Sequence, residues 1–418
     1  MTDSRRITFV ALAYAPSVGG SQLHVQRLAE GLALAGHDVE VLTTDAVGSI
    51  GARHPGRIEA TDEVIAGVRV RRHRTPEPLR RVQRAFRGAW LRRPPWASGP
   101  RAHVVGPWLA GPLSPSLLAS ISVALRERDL VVACSAPFVT FVAPPRWPRR
   151  GAIVVGMPLL HLTRSEVALG VRRSLRRCDV LVASTEHERA VHRRYAGATT
   201  ALHLIPPGAD LDEAADCEPA EARARLGLPE RPTVGYVGRL AAYKGIDTLL
   251  AAVAQLWETH PEVGVLVAGR PSGYDVAQAA SDAGIDGERL VIRESFPDED
   301  RGSLLAACDI LAVPSHEESF GLGIAEGWAA RRAVVASDIP AVRSLVRPGV
   351  DAQLVEPGDP LALASALAAL IVDGGSRTRL ADAGRRRVED ELRWSVAVDR
   401  WDALVRSSTG GRSREVVS

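Results

Sequence analysis

The sequence predicts an α/β protein built from two doubly wound, Rossmann-like domains. Three observations carry that expectation. A chain of 418 residues is too long for one ordinary core. Short apolar runs alternate with segments of helical period, the pattern of helices packed around a parallel sheet. Twice, at Gly19-Gly20 and again between Gly238 and Gly245, an apolar run ends in a glycine-marked turn that opens a helix. The expected organisation is a first domain at 1–206, a linker at 207–230 and a second domain at 231–390. A last helix is expected at 391–406 and a disordered polar tail at 407–418.

Composition narrows the function classes. With 46% apolar and 24% charged residues, the chain reads as globular and soluble. A net charge of +3 argues against nucleic acid as its partner. Cys134, Cys178, Cys217 and Cys308 lie far apart with no CxxC pair, as expected of reduced thiols in a cytoplasmic protein. The apolar run Ile7 to Ala13 is too short for a signal segment, and no run approaches the ~18 apolar residues of a membrane span. Any membrane contact is therefore expected to be peripheral, on the inner face of the plasma membrane. Of 52 basic residues a single one, Lys244, is lysine. In a chain that otherwise uses arginine, that suggests a place where an ammonium is needed, unless it is chance.

In chain order, Arg6 to Leu12 reads as a strand. A loop to Gly20 follows, then a helix from about Ser21 to Ala35 with Leu23, Val25, Leu28, Leu32 and Ala35 on one face. Val39 to Thr43 is the next strand. The Gly19-Gly20 pair either brings backbone close to a phosphate at the carboxyl edge of the sheet or only makes a turn. It is not a GxGxxG fingerprint, and no acid closes the second strand in the way such a fingerprint expects, so a dinucleotide oxidoreductase is disfavoured. From Val68 to Arg101, eleven arginines face one acid, Glu77. Leu79 to Trp90 sorts Leu79, Val82, Phe86, Ala89 and Trp90 to one side of a helix and Arg80, Arg81, Arg84 and Arg87 to the other. Such a helix suits an anionic membrane surface through residues 79–93; the competing reading packs it on its own domain with a solvated arginine face. Leu130 to Cys134 and Ala152 to Val155 are further strands, and His161 falls on the loop after the second, a candidate sugar contact. His187 and His192 are five residues apart rather than four, so a zinc-protease helix is rejected.

The second domain opens with strand Thr233 to Val237 and a helix from Ile246 to about His260. Arg239 and Lys244 flank the loop between them. Two cations beside exposed helix N–H groups make a diphosphate clamp that needs no metal. Val263 to Ala268 and Val291 to Phe296 read as strands. Asp298-Glu299-Asp300 reads as a helix start with Asp298 as N-cap, in preference to a metal site. Strand Ile310 to Val313 then leads into Glu318-Ser-Phe-Gly-Leu-Gly-Ile-Ala-Glu326, with two carboxylates eight residues apart around a helix N-terminus. A helix to Arg331, strand Ala333 to Ala336, strand Asp351 to Val355 and helix Leu361 to Val372 follow. Trp394, Val398, Trp401 and Val405 form a stripe that must be buried.

Taken together, Pro16-Ser-Val-Gly-Gly20, Gly36-His37-Asp-Val, Gly238-Arg239 with Lys244-Gly245, and the Glu-x7-Glu segment from Glu318 to Glu326 resemble glycosyltransferase family 4, the group 1 glycosyltransferases. The likeness runs from Tyr14 to Trp401. It implies a GT-B fold, two Rossmann-like domains facing a central cleft, with a last helix that returns to the first domain. It further implies that Arg239 and Lys244 hold the donor diphosphate, Glu326 the ribose hydroxyls and Glu318 the donor sugar. The N–H groups of Phe320, Gly321 and Leu322 would meet sugar and phosphate, while Gly19, Gly20 and Gly238 would line the donor. Two positions depart from the family pattern. His161 comes four residues after the expected place near Met157, and Arg343-Ser344 stand where a Glu commonly follows the Ala-Ser-Asp segment.

The implied activity is retaining, metal-independent transfer of a hexose-type sugar from a nucleotide-diphosphate sugar to a hydroxyl acceptor, with Glu318, Arg239 and Lys244 as the catalytic group and no cofactor. A glycolipid, a polysaccharide precursor or a small natural product would each serve as acceptor. Two rivals remain at this stage: a nucleotide-sugar epimerase on the same fold, and a non-catalytic partner of another transferase.

Overall fold

The computed structural model describes residues 4–17, 19–46, 56–58, 62–82, 111, 113–160, 169–210, 217–285 and 287–408. The chain forms two compact units: Met1–Leu160, Arg164–Pro206 and Ser395–Ser418 in the first, Pro207–Trp394 in the second. His161 lies outside the described residues, as does the tail beyond Ser408.

Among the described residues the first unit is an eight-stranded sheet. Its strands are β1 (Arg6–Val10), β2 (Asp38–Thr44), β3 (Asp62–Ile65), β4 (Val68–His73), β5 (Leu130–Cys134), β6 (Ile153–Met157), β7 (Val180–Ala183) and β8 (Ala201–Leu204). They lie in the order β3-β4-β2-β1-β5-β6-β7-β8, all parallel except the β3–β4 pair. Strands β1 and β5 are buried almost throughout, which explains why they read as continuous apolar runs rather than alternating ones. The strand order reverses between β1 and β5, and Gly19 and Gly20 follow β1 at this switch. Gly19 takes the cap position of helix Gly20–Leu34 in extended backbone, and its carbonyl accepts from Leu23 N–H at 2.8 Å.

Burial of His24 in that helix has a consequence for pH. Desolvation lowers its imidazole pKa to about 4, so folding requires the neutral ring. A depressed folded pKa gives stability that is complete above the unfolded value near 6.5 and is lost as pH falls toward 4. Thermal unfolding followed from pH 7 to pH 4 is expected to lose less stability in His24→Gln than in the wild type. Equal losses would exclude this imidazole as the group responsible.

The basic stretch departs from expectation in two ways. Its start is strand β4, where Val68 and Val70 point into the core and Arg72 is buried, donating to the Glu63 carboxylate and the Ala15 carbonyl. Residues 77–82 are helical, but Arg80 turns toward the protein: it donates to Asp45 at 2.8 Å with its side chain 12% exposed. Val82 on the expected apolar side is instead 55% exposed. Asp45 also receives Thr75 N–H at 3.1 Å, so an acidic anchor at the end of β2 outweighs the helical pattern here. Arg84, Arg87 and the remainder of 83–93 lie outside the described residues.

Among the described residues the second unit is a six-stranded, all-parallel sheet in the order β11-β10-β9-β12-β13-β14. These strands are β9 (Thr233–Val237), β10 (Gly264–Gly269), β11 (Leu290–Glu294), β12 (Ile310–Val313), β13 (Ala333–Ser337) and β14 (Gln353–Val355). Alternate residues feed two cores: Val265 and Val267 join one with Leu249 and Leu367, while Leu266 and Ala268 join the other with Ile324 and Trp328. The sheet order reverses between β9 and β12.

The stretch expected as a linker contributes structure to this unit. Helix Pro219–Leu226 carries the buried Arg223, which donates to the Asp309 carboxylate and the Ala307 carbonyl, each at 3.0 Å. The expected Asp298 cap is also corrected. Helix Asp300–Ala306 has Glu299 at its cap position with no side-chain cap bond, and Asp298 instead pairs with Arg270 at 3.0 Å. Among the described residues no single helix is long and apolar enough to cross a membrane.

Candidate active site

In an open parallel sheet, ligands bind beyond the carboxyl ends of the strands where the order reverses. In the second unit those ends are the loops after β9 and β12, which carry Gly238–Gly245 and Pro314–Gly321. Two backbone features lock the loops together. His316 N–H donates to the Tyr243 carbonyl at 2.9 Å, and Gly245 packs directly on Pro314. Gly245 has φ 67°, and a Cβ there would lie 2.0 Å from the Pro314 oxygen. Gly245→Ala therefore meets both left-handed strain and a backbone clash. It is expected to lower the melting temperature and weaken nucleotide binding together; unchanged binding in a folded variant would show that the loops position nothing.

Lys244 and Glu318, drawn from these two loops, form an ion pair with Nζ 2.6 Å from Oε1. The same oxygen accepts the buried Ser315 hydroxyl at 2.8 Å. Glu318 is 8% exposed, so this pairing offsets much of the cost of burying its charge. An ammonium has three donors, and one engaged with Glu318 leaves two for phosphate oxygens.

Arg239 is half-buried at the end of β9, and among the described residues no ion pair or hydrogen bond reaches its guanidinium. Its carbonyl accepts from the buried Tyr236 hydroxyl at 2.7 Å, which fixes the turn. Burial raises the Tyr236 pKa, helped by the nearby Glu318, so the phenol stays a donor. Gly238 plays a different part from a donor: its N–H is spent on the Ala268 carbonyl at 2.9 Å, and it supplies room for the turn.

Helix Leu322–Ala329 starts at the same edge. Gly321 caps it at φ 102° without any side-chain bond, and since Ile324 N–H donates to the Gly321 carbonyl at 2.9 Å, the N–H groups of Leu322 and Gly323 are the ones a bound anion would meet. The Phe320 ring is buried in the core and anchors the loop in front. Glu326 lies one helical turn beyond Leu322, on the same face.

Glu326 is held by a residue that sequence reasoning did not single out. Arg301 donates from Nε to Oε1 at 2.9 Å and from Nη2 to Oε2 at 2.5 Å. Burial pulls the Arg301 pKa down, but the charge and hydrogen bonds of Glu326, with Asp298 and Tyr236 nearby, together outweigh it and the net shift is upward. The pair is 25 residues apart in sequence, a separation with no local signature. Ser315 was equally silent. The site in this unit thus gathers Arg239, Lys244, Glu318, Phe320, Gly321, Leu322 and Glu326. Gly19 and Gly20 belong to the other unit.

Comparison with solved structures places the chain in a class. Sucrose-phosphate synthase from Thermosynechococcus elongatus superposes with TM-score 0.70 at 21% identity, covering 96% of this chain and 98% of that one. Anabaena HepE in complex with UDP-glucose gives 0.68 at 18% identity, covering 97% of this chain and 100% of that one. The fold is that of the GT-B glycosyltransferases. The family model described as "Glycosyl transferases group 1" matches residues 219–387, and that described as "Glycosyltransferase Family 4" matches 18–213. D-inositol 3-phosphate glycosyltransferase 1 of Catenulispora acidiphila is 30% identical over 95% of this chain and 93% of its own length. Its namesake from Xylanimonas cellulosilytica is 36% identical over 55% of this chain, which spans 57% of that relative's length. The chain belongs to the group 1 glycosyltransferases of glycosyltransferase family 4.

Proposed function

We propose that this protein transfers a hexose-type sugar from a nucleotide-diphosphate sugar to a hydroxyl acceptor, with retention at the anomeric carbon. The observation that carries the reading is the meeting of Lys244 and Glu318 at the switch point, beside Arg239 and an open helix N-terminus. Cleaving the bond between the anomeric carbon and the phosphate oxygen leaves negative charge on that oxygen and positive charge on the sugar. Lys244, Arg239 and the helix N–H groups would stabilise the first without a metal ion, and Glu318 would face the second. The acceptor hydroxyl would attack from the side the diphosphate leaves, passing its proton to the departing phosphate oxygen. Bond formation, bond cleavage and proton transfer then balance with no covalent sugar on the protein.

The expected result is nucleoside diphosphate released in step with a glycosylated product of unchanged anomeric configuration, read by proton NMR. A sugar trapped on any carboxylate of the protein would overturn the front-side route. Conversion of the donor to an epimeric nucleotide sugar without any acceptor would favour the epimerase alternative. A full chain that turns over no donor with any acceptor would restore the non-catalytic one. Relatives named for D-inositol 3-phosphate make that compound the first acceptor to try, and UDP-glucose the first donor because HepE holds it. Thermal shifts with UDP, GDP and ADP would rank the base.

Peripheral binding to anionic membrane is also proposed, now resting on Arg81 rather than Arg80, because Arg80 is taken by Asp45. Vesicles containing anionic lipid are expected to bind the wild type more tightly than a variant with Arg81, Arg84 and Arg87 neutralised. Equal binding would remove the membrane from the account.

A further inference from the structure

We propose that Thr44, His73 and Thr75 form a subsite of the first unit that takes a hydroxyl group from an uncharged, polyol-like part of the acceptor, with His73 Nε2 accepting its hydrogen bond. The inference deepens the reading of this protein as a transferase to hydroxyl groups and rests on it.

The three residues meet at the carboxyl ends of β2 and β4, on the edge where an open parallel sheet takes its ligands. Thr44 and His73 are register partners in neighbouring parallel strands, so their side chains leave the sheet on the same face. Just beyond, Asp45 ties the strand ends together. Its N–H donates to the His73 carbonyl at 3.1 Å, and its carboxylate accepts Thr75 N–H at 3.1 Å. All three residues are more than nine-tenths buried. Among the described residues the Thr44 hydroxyl, the Thr75 hydroxyl and His73 Nε2 have no hydrogen-bond partner. Unpaired polar groups are costly to bury, and three at one sheet edge call for a common partner.

A chain of hydrogen bonds fixes the tautomer of the imidazole. The Ser114 hydroxyl donates to the Arg74 carbonyl at 2.8 Å, which uses its only proton. Ser116, in the first turn of helix Pro115–Glu127, is then the donor in its 3.0 Å contact with Ser114. With that proton spent, the Ser116 oxygen accepts from His73 Nδ1 at 3.2 Å. Nδ1 thus carries the ring proton and Nε2 is bare. Burial, helped by Arg71, lowers the His73 pKa against the weaker pull of Asp62 and Glu40, so the ring stays neutral. A bare nitrogen accepts and cannot donate. A hydroxyl brings the proton it needs, whereas a phosphate dianion brings only acceptors. The two threonine hydroxyls can donate or accept, which suits neighbouring hydroxyls of the same polyol.

The test uses the full chain, UDP-glucose as donor probe and two acceptor probes, D-inositol 3-phosphate and myo-inositol. Both carry ring hydroxyls, and they differ in the phosphate. An asparagine amide stands in for Nδ1 and a glutamine amide for Nε2. His73→Asn is expected to raise KM about 10-fold for both acceptors, with kcat within about 3-fold and donor KM unchanged. His73→Gln is expected to restore acceptor KM to within about 3-fold of wild type. Thr44→Val and Thr75→Val remove a hydroxyl with little change of shape. Each is expected to raise acceptor KM about 3-fold while the melting temperature of the free protein stays level or rises. A merely structural role would not pair those effects.

An acceptor KM unmoved in His73→Asn and in both valine variants overturns the subsite and leaves sugar transfer standing. Melting temperatures that fall in the valine variants show hydroxyls satisfied within the fold, which also overturns it. A KM that rises only for the phosphorylated probe assigns His73 to the phosphate and overturns the polyol. If neither inositol is glycosylated, the same variants are compared on whichever donor and hydroxyl acceptor the wild type takes, with the same outcomes. If it takes none, the transferase reading fails and this subsite with it.

Discussion

Lys244→Ala is expected to lower kcat for sugar transfer by about 10²- to 10³-fold, the loss typical when one preorganised donor to a developing oxyanion is removed. Two effects add in that number. The leaving diphosphate loses a cation, and Glu318, 8% exposed, loses the partner 2.6 Å away that balances its charge. A double-mutant cycle separates them. If Lys244 acts only by compensating Glu318, then Lys244→Ala with Glu318→Ala should be no worse than Glu318→Ala alone. If it also meets the phosphate, the double variant stays well below that level. Lys244→Arg keeps the charge but replaces a compact point donor by a wider planar fork, so only partial activity is expected. Product formation under saturating donor and acceptor is the measurement, and near-wild-type turnover by Lys244→Ala would sink the proposed clamp.

The sequence made the frame of this site legible for physical reasons. Parallel strands buried on both faces leave apolar runs that stand out, as at Ile310–Val313 and Thr233–Val237. The glycines at 245 and 321 mark backbone that side chains would strain. A single lysine among arginines drew attention to position 244. What stayed hidden depends on contacts made across the fold. Arg301 sits in a run of acids that reads as a helix start, and only the packing of two separate helices brings it onto Glu326. Ser315 looks like any loop serine until its hydroxyl is found on Glu318. Strand β4 was obscured because its buried Arg72 breaks the apolar pattern, its charge being met by Glu63 and a carbonyl. Arg80 fell on the wrong side because amphipathicity cannot anticipate a carboxylate such as Asp45 waiting at the end of another strand.

These pairings share an electrostatic logic. Lys244 with Glu318 and Arg301 with Glu326 each place a cation from one loop or helix on an acid from another. Both acids border the place proposed for a dianionic ligand, where bare carboxylates would oppose binding. The two cations remove that opposition in advance and leave Arg239 as the half-buried guanidinium with no acid of its own among the described residues. Positive charge near the phosphate then exceeds negative charge.

Trp401→Ala is the substitution expected to cost the most stability. The indole is fully buried in helix Trp394–Ser407 and lies 6.3 Å from the Phe9 ring of β1 at 46°, inside the first unit. Replacing a buried tryptophan by alanine costs roughly 3–5 kcal/mol, a large share of the 5–15 kcal/mol that holds a typical domain. The helix has little freedom to close the gap. Val398 packs so tightly on Gly31 that a Cβ there would come within 2.4 Å of it, and Asp402 accepts from His37 Nε2 at 2.6 Å. The His37 tautomer follows from its other nitrogen, which accepts Arg5 N–H at 3.1 Å. For a unit of this size the loss corresponds to a fall on the order of 10 °C in its melting transition. Nucleotide identifies which transition that is, because a ligand of the second unit should raise the second unit's unfolding temperature. Trp401 follows nearly the whole second unit in sequence, yet its substitution should lower the transition that nucleotide leaves in place. If the nucleotide-sensitive transition falls instead, this helix supports the second unit and its assignment to the first is wrong.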